Sequence, residues 1–306
     1  MENFKMIAKT FFGFEDILVK ELSQLGAQNI VTGTRSVSFW GDKGFMYKAN
    51  LSLRTALKIL KPIHVAKVFN DKSLYDEIQK IDWSQYMNEH QSFVVDVTLY
   101  SEVFNQSMFV ALKTKDAIVD QFRDATGKRP NIDKDFPDLR IHIHIDRDQC
   151  TVSLDTSGDS LHHRGYRTAT NIAPINEVLA AGILILSGWE GKSDFMDPMC
   201  GSGTMLIEAA MIACNIPPNI NRKEFAFEKW QDWDPELFEK IVDSLMTKAR
   251  DFHYKIIGYD KAPSAVSKAI ANVQNANLEE YITIDRQDFF DTQKTTQGPL
   301  QMVFNP

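Results

Sequence analysis

A chain of 306 residues with 43% hydrophobic and 25% charged side chains is an ordinary globular mixture, long enough for two or three domains. No apolar run reaches the length of a membrane span, and "MENFKMIAKTFF" lacks the layout of a signal peptide. Cys150, Cys200 and Cys214 lie too far apart for a disulfide framework or a metal clip, so a cytoplasmic protein with no membrane or metal partner is expected. The net charge of −7 is lopsided, with 22 basic and 22 acidic side chains in residues 1–170 but 12 and 19 in residues 171–306.

In chain order, "FKMIAKTFF" predicts a strand, and "FEDILVKELSQLG" predicts an amphipathic helix stopped by Gly26. "SVSFWG" reads as a strand, "KGFMYKANLSL" as a helix, and "ALKILKPIHVAKVF" as a strand-like run interrupted by Pro62. Residues 43–70 carry Lys43, Lys48, Arg54, Lys58, Lys61 and Lys67 with no acid. Such a stretch is either a solvated face or a contact for a polyanion, for which local charge matters more than net charge. "SLYDEIQKI" predicts a helix, "SFVVDVTLY" a strand, and "QSMFVALKTKDAIVDQFRDATG" a long helix ended by Gly127. "DLRIHIHID" and "QCTVSLDT" alternate as half-buried antiparallel strands do. His142 and His144 share one face there, without a Cys, Asp or Glu cluster that would make them metal ligands.

The Gly-, Ser-, Thr- and Pro-containing segment "SGDSLHHRGYRTATNIAP" marks a boundary. Beyond it come a helix at 175–187, the stretch "DFMDPMCGSGTMLIEAA", an insertion at about 215–253, strand "KIIGYD", helix "APSAVSKAIANVQNAN", and strands "ITIDRQD" and "LQMVF". This order is the first half of a doubly wound parallel sheet, whose ligand belongs at the carboxyl ends of the strands. In the insertion, Trp230 and Trp233 are expected to pack over that sheet rather than to bind a partner.

The glycine turn after Asp197 is not a phosphate loop, because Thr204 and Met205 follow Gly203 where Lys and Ser/Thr are needed. It is not the dinucleotide fingerprint either, since position 206 is Leu and the next acid-ended strand closes only at Asp260. An acid at the turn suits a ligand with positive charge. A carboxylate at the second strand end (Asp260) can accept both ribose hydroxyls of an adenosine, and one at the third (Asp288) can accept from the adenine amino group. Asp197 and the turn remain for an amino-acid end and a nearby cation, which makes the ligand S-adenosylmethionine. Cys200 lies in the cofactor turn, where a nucleophile would be misplaced.

The segments "MDPMCGSGTMLIEAA" and "HRGYRTATNIAPINEVLAAGILILSGW" closely resemble bacterial class I methyltransferases that carry a THUMP domain, nearest in likeness to large-subunit ribosomal RNA guanine-N2 methyltransferases. "SLYDEIQKIDW", "KTKDAIVDQFR", "RPNIDKDFPDLRIHIHI" and "SLDTSGDSLHHRGYR" extend the likeness over essentially the whole chain. The resemblance implies a ferredoxin-like segment at 1–43, a THUMP RNA-binding domain at 44–156 and a Rossmann-like methyltransferase domain at 157–306. It also implies that Asp197, Pro198, Gly201, Gly203 and Thr204 form the first cofactor motif, with Asp260 at the ribose and Asp288 and Phe289 at the adenine. Asn305 and Pro306 match the start of an Asn-Pro-Pro-aromatic motif used on exocyclic amines. The implied partner is RNA, large-subunit rRNA above all, held through the basic residues at 43–70. Adenine-N6 methylation of DNA and a catalytically silent RNA-binding module are the competing readings. "LQMVF" has the composition of an interior strand, so the methyltransferase half is expected to be incomplete and weakly active at most within residues 1–306, the chain continuing with Pro and an aromatic residue.

Overall fold

The computed structural model describes residues 2–168, 174–294 and 297–306. The N-terminal half forms an eight-stranded sheet. Its elements are β1 (Phe4–Lys9), α1 (Glu15–Leu25), β2 (Gln28–Gly33), β3 (Ser36–Gly41), α2 (Lys43–Ser52), β4 (Lys58–Lys67), α3 (Asp71–Gln79), β5 (Ser92–Tyr100), α4 (Ser107–Thr126), β6 (Asn131–Ile132), β7 (Leu139–Asp146) and β8 (Gln149–Asp155). The strand order is β2-β3-β1-β4-β8-β7-β5-β6, so the two N-terminal segments that the sequence resemblance separates share one sheet through the β1–β4 pair. β4 runs unbroken through Pro62. It pairs with β1 only over Lys58–Leu60 and shifts register against β8 between Pro62 and His64, so the missing N–H falls where the ladder is already relaxed.

Alternation works as expected on β7, where Leu139, Ile141, Ile143 and Ile145 are buried and Arg140, His142 and His144 lie half-buried on the other face. His142 Nε2 is 3.1 Å from Thr98 Oγ1, and burial pushes its pKa down to about 4. No group of three or more His, Cys, Asp or Glu side chains placed to hold a metal occurs among the described residues, and none of their helices is long and apolar enough to cross a membrane.

The second half contains α5 (Glu177–Leu186), β9 (Asp194–Asp197), α6 (Thr204–Ala213), α7 (Pro235–Met246), β10 (Ile256–Asp260), α8 (Pro263–Asn275), β11 (Ile282–Arg286) and β12 (Leu300–Met302). Its four strands are all parallel, in the order β11-β10-β9-β12. The chain steps outward from β9 to β11 and then returns to the other side of β9. The order therefore reverses between β9 and β12, the place where open α/β sheets bind ligands. Among the described residues β12 pairs with β9 alone, and Met302 is 45% exposed, so the strand is less buried than its composition suggests.

The insertion departs from expectation. Trp230 and Trp233 do not cover the four-stranded sheet; they join the core of the N-terminal half. Tyr47 of α2 lies 4.6 Å from Phe227, 5.2 Å from Trp233 and 5.8 Å from Phe238, ring centre to ring centre. An aromatic cluster of this kind joins the halves by burial and ring-edge contacts. The loop before α5 adds a buried ion pair. Arg164 and Glu208 are both fully buried, with Arg164 Nε 3.4 Å from Glu208 Oε1. Arg164 also donates to Leu161 O, Asn219 Oδ1 and Arg54 O.

Candidate cofactor and acceptor site

β9 delivers Asp197 to the carboxyl edge of the sheet, where the side chain is only 3% exposed. Its Oδ1 accepts the Met199 N–H at 3.0 Å, and no cation pairs with it among the described residues. Burial, with Asp260 adding repulsion, pushes the Asp197 carboxyl up to about 7. The buried Pro198 then starts the turn, and Gly201 and Gly203 sit at φ 55° and 83°, left-handed conformations that favour glycine. A Cβ at Gly203 would also press on Ala269 Cβ of α8 at 3.3 Å. Gly258 in β10 lets α6 approach the sheet, since a Cβ there would meet Leu206 Cδ1 at 2.3 Å.

Asp260 closes β10 beside this turn. One oxygen accepts the Gly201 N–H at 3.0 Å and the other accepts the Ala262 N–H at 2.9 Å. A carboxylate has about four acceptor positions, so two remain for a pair of vicinal hydroxyls. Asp288 follows β11 and accepts the Phe290 N–H at 3.1 Å. Phe289 stands next to it, 37% exposed, with its ring 5.7 Å from that of Phe304.

A cleft of about 200 Å³ opens at the β9/β12 reversal, lined by Asp197, Gly201, Thr204, Ile175, Asn305 and Pro306 among others. The residues read as cofactor motif and those read as acceptor motif, more than 100 positions apart in sequence, therefore share one wall. Gly203, Asp260, Asp288 and Phe289 stand behind or beside the cleft rather than in its lining. Among the described residues, no lysine or arginine lines it. A pyrophosphate would find no countercharge there, whereas an adenosine with a cationic amino-acid tail meets one buried acid and one acid with two acceptor positions free. The donor and acceptor set fits S-adenosylmethionine. Cys200 is buried in the turn, and burial raises its thiol pKa, so no thiolate is available.

Sequence reasoning missed the layer behind this wall. Arg167 donates to Thr204 Oγ1 at 2.7 Å and to Ile175 O at 2.8 Å, and its Nε lies 3.2 Å from Glu177 Oε1. It thus fastens two cleft-lining residues to one guanidinium. Glu177 is 1% exposed, and burial pushes its carboxyl up to about 7 despite Arg167. The only signal was the arginine pair in "HRGYR", which carried the family likeness without revealing a role. Residues 169–173 of that loop lie outside the described residues.

Each of the six basic residues at 43–70 has a partner within the fold. Lys43 pairs with Asp232 at 3.0 Å, Lys58 with Asp155 at 2.6 Å and Lys67 with Asp148 at 2.9 Å. Lys48 donates to Leu25 O and Arg54 to Met211 O and Ile216 O. Lys61 lies over the Phe4 and Trp230 rings. The acids missing from the local sequence arrive from distant segments. Lys67 keeps the most exposed of the three ion-paired side chains, at 69%.

Three domain families match the chain: an RlmL ferredoxin-like domain over residues 5–60, a THUMP domain over 69–155, and an RMKL-like methyltransferase domain over 164–306. SMU.472, solved in complex with SAH, is 31% identical with a TM-score of 0.88; the match covers 100% of this chain and 81% of that one. A predicted N6-adenine-specific DNA methylase from Listeria monocytogenes str. 4b F2365 is 30% identical with a TM-score of 0.90, the match covering 100% and 80%. TrmN from Thermus thermophilus shares the fold at 17% identity and a TM-score of 0.65, over 94% and 74% of the two chains.

Proposed function

Because the chain belongs to the THUMP-domain S-adenosylmethionine-dependent methyltransferases, we propose that it methylates an exocyclic base amine in structured RNA, namely guanine N2 of large-subunit ribosomal RNA. The observation that carries this reading is the placement of Asn305 and Pro306 in the same cleft as Asp197 and the glycine turn. An exocyclic amine is a weak nucleophile because its lone pair is delocalised into the ring. The Asn305 side-chain oxygen and the Pro306 carbonyl can each accept one of its N–H groups, which favours a pyramidal nitrogen. The cofactor supplies a methyl group on a sulfonium. The protein's part is orientation and electrostatics: Asp260 and Asp288 hold the adenosine end, and Asp197 holds the charged tail. The THUMP domain implies RNA binding, and an rRNA substrate places the reaction in the cytoplasm.

The Listeria relative's description favours a second reading, adenine N6 in DNA, since the Asn-Pro pair accepts either amine. Transfer of a labelled methyl group to rRNA, tRNA and DNA in parallel separates the readings. Incorporation into rRNA, mapped to N2-methylguanine by nuclease digestion, is the expected result. Incorporation into DNA alone overturns the RNA reading, and binding of RNA without incorporation into any substrate leaves a silent RNA-binding protein. Asn305→Ala is expected to abolish transfer and leave S-adenosylhomocysteine affinity within about twofold.

A further inference from the structure

A second polar pocket, of about 250 Å³, lies between the ferredoxin-like part and the methyltransferase domain, far from the cofactor cleft. Its walls are the end of α1, the end of α2 with Arg54, the segment after α6, and the end of α7. The cleft sits at the start of α6 and this pocket beyond its last turn, about 15 Å away along a ten-residue helix. Three cations face it, Lys48, Arg54 and Lys248, against one acid, Glu21. Glu21 is already engaged, accepting the Arg54 and Thr55 N–H groups and the Thr55 hydroxyl. Lys248 has no acidic partner among the described residues. Burial, with repulsion from Lys248 added, pushes Lys48 below the usual lysine range.

Two donors in the same wall lack acceptors. Arg54 commits Nη2 to Met211 O and Ile216 O at the end of α6, but among the described residues its buried Nη1 has no partner, and neither has the buried Ser52 hydroxyl. Unsatisfied buried donors are costly and uncommon in native proteins. Two of them beneath a pair of mutually repelling ammonium groups define the complement: a compact oxyanion with acceptor oxygens in several directions. A carboxylate offers two such oxygens in one plane, whereas a phosphate offers three or four in a tetrahedron. We infer that this pocket binds a phosphate group, held by Ser52 and Arg54 at its floor and by Lys48 and Lys248 at its mouth. The group is either a free phosphate species or a backbone phosphate of the bound RNA. The RNA alternative rests on the proposed RNA reading; the site itself does not.

The test uses the full chain and two probes. Inorganic phosphate, followed by ³¹P line broadening, is expected to bind at one saturable site. Lys248→Gln and Ser52→Ala should each weaken it about tenfold or more, as expected on losing a hydrogen bond to a charged group. Thermal stabilisation by S-adenosylhomocysteine should be unchanged in both variants, which shows that they fold. RNA affinity is then measured across a salt series. If the phosphate belongs to RNA, Lys248→Gln lowers the slope of log K against log salt by about 0.7 to 0.9, the value of one contact. An unchanged slope with lost inorganic phosphate binding assigns the pocket to a free phosphate species. Phosphate broadening that does not saturate, or that is equal in wild type and both variants, overturns the site.

Discussion

With the charged tail of the cofactor at Asp197, as proposed, the raised carboxyl makes cofactor binding a proton-linked event. In the folded protein this group holds its proton up to about 7, against 3.8 for an ordinary aspartate. Between about pH 4 and 7 the native state therefore binds more protons than the unfolded one, and stability falls as pH rises through that window. The difference of about three pKa units corresponds to at most about 4 kcal/mol above pH 7. A ligand ammonium beside Asp197 favours the carboxylate and brings its pKa back down, so binding below pH 7 must release a proton. With a ligand-free pKa of about 7, about one molecule in eleven is ionised at pH 6 and ten in eleven at pH 8, so affinity for S-adenosylhomocysteine should rise about tenfold between them. Calorimetry in two buffers of different ionisation enthalpy should report about half a proton released at pH 7. Asp197→Asn has nothing to titrate; its affinity should be lower at pH 8 and nearly flat from pH 6 to 8, which separates this proton from those of the ligand. Equal wild-type affinity at pH 6 and pH 8, with no proton release, would refute the placement of a ligand cation at Asp197.

In the proposed cofactor pose, Asp260→Ala removes two charge-assisted hydrogen bonds to the ribose, each worth about 1.5–3 kcal/mol. After partial solvent compensation, cofactor affinity should fall about tenfold to a few hundredfold by calorimetry; unchanged affinity would overturn the ribose assignment. Arg164→Met leaves the Glu208 carboxylate buried with, among the described residues, only the Tyr166 hydroxyl at 3.1 Å as donor. Urea denaturation should show a loss of about 3–5 kcal/mol, partly regained in Arg164→Met/Glu208→Gln, and a loss below about 1 kcal/mol contradicts the buried pair. At Gly182 of α5, a Cβ would lie 2.1 Å from the Phe14 ring of the N-terminal half. Gly182→Ala should destabilise by about 1–3 kcal/mol, with recovery on adding Phe14→Leu, and unaltered stability would show that the ring moves freely.

What the sequence made legible was local. A turn with two glycines in left-handed conformations must be written in consecutive residues, and so must a strand that ends on an acid. The Asp197 turn, Asp260 and Asp288 could therefore be read in order and placed at one sheet edge. β2 escaped because Gln28–Gly33 is an edge strand, mostly exposed and paired on one side only, with no alternating apolar face to announce it. β6, two residues long, has no periodicity at all. The partners of the charge run at 43–70 were not legible for a physical reason: Coulomb partners are chosen by distance in space. Asp155, Asp148 and Asp232 come from strands, turns and an insertion that the fold brings back to these lysines.

The same reason hid the joint between the halves. Burying Arg164 is tolerable only because acceptors from four separate segments surround it: Leu161 O, Asn219 Oδ1, Arg54 O and Glu208 Oε1. Arg54 answers from the other side by capping the end of α6, and Asn219 donates to Asn50 O in α2. Each of these groups would be a desolvation penalty if the two halves were shifted by a few ångströms, because directed bonds tolerate misplacement far less than apolar contact does. The aromatic cluster of Tyr47, Phe227, Trp233 and Phe238 supplies burial, and the arginine network supplies register. Three residues beyond Arg164 the same loop reaches Arg167, which holds Thr204 and Ile175 at the cofactor cleft. The geometry of the proposed methyl-transfer site and the seating of the N-terminal half are thus tied to one short segment.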